Sequence, residues 1–224
     1  MRLQLFIMAL AVFVSCNAKR TESVRDRFKM SVGKLRNVGF FEEYKSFSDD
    51  QLTDSLIAIA KKKHKFSGYD DFEEVYDPIE NAKWFDLHIA ELDDRRVWWH
   101  DLESDICKEN LIYRATIKEY EKLSGGYLNA REIKEDWRSD YGPIEISFWD
   151  GDTLRVFQPE YNEDWYDVKF FSFLETTMVS NGSPYKFYMH DQTGQDVFLI
   201  RATQEETEKI EKEMGWKFRR FVSP

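Results

Sequence analysis

The chain has 224 residues, with 32 Lys and Arg against 42 Asp and Glu, a net charge of −10 at pH 7. Its 18 Phe, 11 Tyr and 7 Trp exclude disorder despite the acidity, and 10 Gly with 5 Pro exclude collagen-like or Gly/Pro-rich repeats. The acidic balance argues against a nucleic-acid partner, which needs a basic face.

Residues 1–16 read MRLQLFIMALAVFVSC, with Arg2 as the sole charge. Residues 3–14 are apolar except for Gln4. That run suits the apolar region of a signal peptide and falls short of the roughly 20 residues a spanning helix needs. At Phe13-Val14-Ser15-Cys16 the segment resembles the lipobox of bacterial lipoprotein signals, in which a small residue precedes an acylated Cys. Phe13 stands where that motif usually has Leu. The resemblance implies that residues 1–15 are a signal peptide and that Cys16 carries lipid as the new N-terminus. The protein is then held at a membrane of the bacterial cell envelope, facing the periplasm or the exterior. Ordinary secretory cleavage after Ala18 is the competing reading. On the first reading, 16–24 are the lipidated Cys and a polar tether. Cleavage before Cys16 removes Arg2 and no acid, so the exported chain is more acidic still. Cys107 is then the one thiol outside the anchor, which leaves neither an intrachain disulfide nor a cysteine zinc cluster. It reads as a small apolar core residue.

Residues 25–140 form a mainly helical region. Residues 25–38 are weakly amphipathic. Ser48 and Gln51 have the spacing of a capping box, followed by Leu52, Leu56, Ile57 and Ile59 at mostly helical spacing. Lys61, Lys62, Lys63 and Lys65 close that helix where cations favour its negative end, and Ser67-Gly68 break it. Residues 69–80 are acidic and irregular. Trp84, Phe85, His88, Ile89 and Leu92 predict a helix over 79–92, which Val97-Trp98-Trp99 resume after a charged interruption. A third helix is predicted over 109–123, ended by Gly125-Gly126.

Residues 141–224 alternate strands with helices, an α+β region expected to form one compact unit with 25–140. Ile144, Ile146 and Phe148 alternate with Glu145, Ser147 and Trp149, Asp150-Gly151 make the turn, and Leu154 and Val156 follow, a strong hairpin signal. A helix over 167–179, strands over 185–189 and 197–200, a Thr203/Glu206 capping box, a helix to Met214 and a last strand around Trp216, Phe218 and Phe221 complete the order ββα-ββα-β. The expected class is α+β, an N-terminal helical region packed on a C-terminal antiparallel sheet with helices on one face.

Catalytic signatures are absent: there is no GxSxG, no GxxxxGK[ST], no GxGxxG and no HExxH. His88 beside Asp86 and His100 beside Asp101 form a two-His, two-Asp metal site only if their segments face each other; since His88 shares a stripe with Trp84 and Leu92, a half-buried, hydrogen-bonded core histidine is the simpler expectation, and no cofactor is expected. Asp150-Gly151-Asp152 reads as a hairpin turn rather than a calcium loop. The acidic run Glu160, Asn162, Glu163, Asp164 and Asp167 surrounds Tyr161, Trp165 and Tyr166. Aromatics set among acids suit a basic protein partner, so Tyr161, Asp164, Trp165 and Tyr166 are the expected partner-binding residues. The expectation is a lipid-anchored, non-catalytic binding protein, in its concrete form an immunity-type lipoprotein that neutralises a basic toxin. The alternatives are an envelope hydrolase with Glu160 and Asp164 as its carboxylate pair, and a structural or assembly lipoprotein.

Overall fold

The structure is a computed structural model describing residues 23–67, 72–191 and 194–220. The apolar N-terminal run, Cys16 and the tether to residue 22 lie outside the described residues, as do Gly68, Thr193 and Phe221. Ser23 and Val24, read as the end of the tether, already belong to the fold. Ser23 caps helix α1 (Val24–Asn37), its Oγ accepting the Asp26 N–H. Helix α2 (Asp49–Ser67) opens with the expected capping box, in which Gln51 N–H donates to Ser48 Oγ and Ser48 N–H donates to Gln51 Oε1.

Beyond α2 the helices are shorter than their apolar spacing predicts. Helix α3 (Phe72–Val75) is a single turn inside the stretch read as irregular, and it buries Phe72 and Val75. Helix α4 (Phe85–Ala90) is preceded by turns that Asp77 organises, its carboxylate accepting the N–H groups of Ile79 and Glu80. Residues 97–99 do not resume a helix. They belong to strand β1 (Val97–Asp101), which pairs antiparallel with β6 (Asp196–Ala202). Helix α5 (Ile112–Leu123) follows, and strand β2 (Ala130–Trp137) occupies sequence assigned to the helical region.

The C-terminal part has the expected ββα-ββα-β order: β3 (Ile144–Asp150), β4 (Thr153–Phe157), α6 (Lys169–Ser180), β5 (Lys186–His190), β6, α7 (Gln204–Met214) and β7 (Phe218–Arg219). These strands split into two antiparallel sheets, one ordered β1-β6-β5-β7 and the other β2-β3-β4. The four-stranded sheet is covered on both faces rather than on one. Phe198, Ile200 and Ala202 pack with α1–α4 and α7, while Val197 and Leu199 pack with α5, α6 and the smaller sheet. Alternation along β6 therefore serves two cores from one strand. Burying a side chain of this size contributes about 1.5–3 kcal/mol, so four fully buried consecutive residues make β6 the hub of the fold. Among the described residues, no helix is long and apolar enough to cross a membrane.

Candidate functional site: an acidic aromatic face

The acidic run folds back on another acidic segment. Ser104 N–H donates to Asp164 O at 2.7 Å, Tyr166 N–H donates to Leu102 O at 3.0 Å, and Glu103 bridges Trp165 in antiparallel fashion. This pairing sets Glu103 and Asp105 beside Asp164. All three line a cleft of about 490 Å³ with His100, Ser104 and Asn110, and no lysine or arginine lines it. Gln195 reaches across, its Nε2 donating to Asp101 at 3.2 Å and to Glu103 at 3.3 Å. Three carboxylates on one small concavity concentrate negative potential where a cation would enter.

The four residues expected to bind a partner have different fates. Asp164 is exposed and lines the cleft. Trp165 is 39% exposed and bridged to Glu103. Tyr161 is half-buried, with its ring against Trp137 at 5.9 Å and Tyr141 at 6.0 Å. Tyr166 is corrected: it is 4% exposed and belongs to the core. Extended neighbours point in opposite directions, so exposing Trp165 sends Tyr166 inward. There its hydroxyl lies 2.7 Å from Thr116 Oγ1 and its ring meets Tyr113, Phe171 and His100. Burial pushes its phenol pKa upward. Asp167 also turns inward, accepting the N–H groups of Glu160 and Lys169. Glu160 pairs with Lys169 at 3.2 Å and is not among the residues that line the cleft with Asp164. Glu103 and Asp105 were missed. The alternating acids at 101, 103 and 105 were their one local signal.

No family model, no curated protein and no solved structure matches this chain. The site is therefore interpreted from its own geometry.

His88 and His100 do not converge. His88 stacks on Trp99 at 4.9 Å, and His100 stacks on Trp98 at 4.9 Å. Trp98 and Trp99 are consecutive strand residues, so the two imidazoles lie on opposite faces of β1. Burial, with Lys63 and His64 nearby, lowers the His88 pKa to about 4. Burial lowers that of His100 too, against the pull of Asp101 and Asp196. Among the described residues, no three His, Cys, Asp or Glu side chains are placed to share a metal ion. Cys107 is half-buried rather than a core residue. Asp150 is buried in the hairpin, accepting the Asn181 side-chain amide at 2.7 Å and the Asn129 N–H at 3.3 Å.

A cavity of about 700 Å³ lies at the opposite end of β1 and is lined by both signs of charge. Arg201 N–H donates to Arg96 O at 2.9 Å, placing the two arginines side by side. Arg96 is buried, donates to Gly39 O, lies 3.2 Å from Glu206 and covers the Phe40 ring. Arg201 stacks on Tyr185 at 4.3 Å. A Cβ at Gly125 would lie 2.2 Å from its guanidinium, which makes glycine the residue that admits it. Asp93 is held by the Phe41 N–H and Glu206 by the Thr203 N–H, both at 2.7 Å. These charges are largely spent on one another and on backbone. They tie the loop after α1 to the end of the sheet and the start of α7.

Proposed function

We propose that this chain is a lipid-anchored protein of the bacterial envelope, held through Cys16, whose folded part binds a basic protein. One observation supports the binding role above others: Trp165 is exposed, bridged to Glu103 and next in sequence to Asp164, and those two acids, from two chain segments, line the cleft together. An aromatic ring supplies contact area with little conformational entropy to lose, and surrounding carboxylates steer and orient a cationic partner. Neutralisation of a basic toxin, the immunity-type role, is the concrete form of this reading. The anchor reading rests on the apolar run and Phe13-Val14-Ser15-Cys16.

The product of the neighbouring gene is the first partner to assay, by complex formation and by protection of cells that carry this protein. Absence of both results sinks the immunity role. Cys16→Ser is expected to abolish palmitate labelling and membrane retention, and continued fractionation with membranes sinks the anchor.

A further inference from the structure

β1 is a free edge of the four-stranded sheet, and a groove runs along it. Trp98 packs into the core shared with α5 and α6, whereas Trp99 packs toward the core shared with α1–α4. Both nevertheless line a single groove of about 400 Å³, together with Ile59 of α2 and Leu123 of α5. Side chains of consecutive strand residues leave opposite faces. A space that touches both therefore lies over the strand's edge, with α2 as one wall and α5 as the other.

The backbone is available there. Arg201 N–H donates to Arg96 O, and Leu102 N–H donates to Gln195 O. Bonding positions alternate along an antiparallel pair, so residues 97, 99 and 101 turn their backbone groups away from β6. Val97 N–H is taken by Asp93 O at 2.8 Å, and Asp101 O by the Ser104 hydroxyl at 2.5 Å. Trp99 N–H and C=O and Asp101 N–H have no partner among the described residues. Free edges invite another strand, and proteins blunt them by shortness, charge or cover. This one is five residues long and walled by two helices, which admits one strand and excludes a second sheet.

The charge around the edge selects the occupant. Lys63 is the groove's lone cation and is tied to Glu91 at 2.5 Å. Asp94 stands at one end, and at the other β1 leads through His100 into the acidic cleft. The apolar wall is open, with Ile59 41% exposed. We propose that the β1 edge takes an extended segment of the partner, bearing alternate apolar and basic residues, as an added antiparallel strand. The inference rests on the acidic-face reading and deepens it: backbone bonds to Trp99 and Asp101 give affinity, and alternate side chains meet the apolar walls and the acids.

The test uses the full chain in detergent and three fluorescein-labelled probes: a seven-residue peptide of alternating lysine and valine, the same peptide methylated at its central amides, and heptalysine. Fluorescence anisotropy at low salt is expected to give at least tenfold tighter binding of the unmethylated peptide than of the methylated one. Saturation with it is expected to slow hydrogen exchange at the Trp99 and Asp101 amides at least tenfold. Equal affinity for both lysine–valine peptides, or unchanged exchange at Trp99, overturns strand addition. If heptalysine binds in that case, the acidic-face reading survives alone; if none of the three binds, that reading falls too.

Discussion

Glu175 Oε2 accepts the main-chain N–H of Phe187 at 2.6 Å, so a carboxylate on α6 takes the place of a strand partner. Among the described residues β7 pairs with Met189 and His190 and does not extend to Phe187. Arg220 completes the arrangement by donating to the other oxygen. Glu175→Ala leaves a buried N–H and an arginine without their acceptor, at an expected cost of about 2–4 kcal/mol. Glu175→Gln keeps an acceptor and is expected to cost about half as much. Urea unfolding of both variants checks the order; equal stabilities would contradict it.

The depressed His88 pKa makes stability depend on pH in a defined direction. Above about pH 6.5 the imidazole is neutral in both folded and unfolded chains. As pH falls toward about 4, the unfolded chain takes up a proton that the folded His88 resists. This contribution is therefore whole above pH 6.5 and lost on acidification, by up to about 3 kcal/mol. Asp93, Glu135 and Asp196 are shifted upward by burial and act with the opposite sign. The difference between the parent chain and His88→Gln removes their contribution. Thermal melts of both between pH 7 and 4 are expected to converge as the pH falls.

Trp165 and Tyr166 adjoin in sequence and are predicted to separate in assay. Trp165→Ala is expected to weaken the basic partner by about 30-fold, the loss of about 2 kcal/mol seen at aromatic anchors. Tyr166→Phe is expected to leave affinity unchanged and to lower stability by about 1 kcal/mol, because only the hydroxyl contact with Thr116 is lost. Calorimetric titration with the partner and a denaturation curve for each variant distinguish them. Equal losses of affinity would place Tyr166 back at the surface.

The strands that were legible in sequence are those with one buried face. Ile144, Ile146 and Phe148 are buried while Glu145, Ser147 and Trp149 are less so, and Gly151, at φ 59°, lets the chain turn. β1 escaped because Val97-Trp98-Trp99 has no polar alternation: each face of that strand meets a different core. β2 escaped for another reason. A register shift between Arg131 and Lys134, with Glu132 at φ 53°, interrupts its period of two. At the site, Asp164 and Trp165 were visible as local chemistry. Glu103 and Asp105 were not, because only the pairing of residues 102–104 with 164–166 makes them neighbours.

The pattern change near residue 140 does not mark two autonomous halves. β1 precedes it and is seated in the sheet formed by β5, β6 and β7. Fragments 1–140 and 141–224 are each expected to lack cooperative unfolding, whereas the intact chain melts in one transition with matching calorimetric and van't Hoff enthalpies. A cooperative melt from either fragment would refute this. Two transitions in the intact chain would do the same.

The pairing of Val97 with Ile200 also bears on how fast the molecule forms. The chain must bring together residues about a hundred positions apart before β6 gains its outer neighbour, and such closure carries an entropy cost that local helices do not meet. Assembly is then paced by topology. Trp98 and Trp99 sit on that seam, so its closure changes the surroundings of both rings.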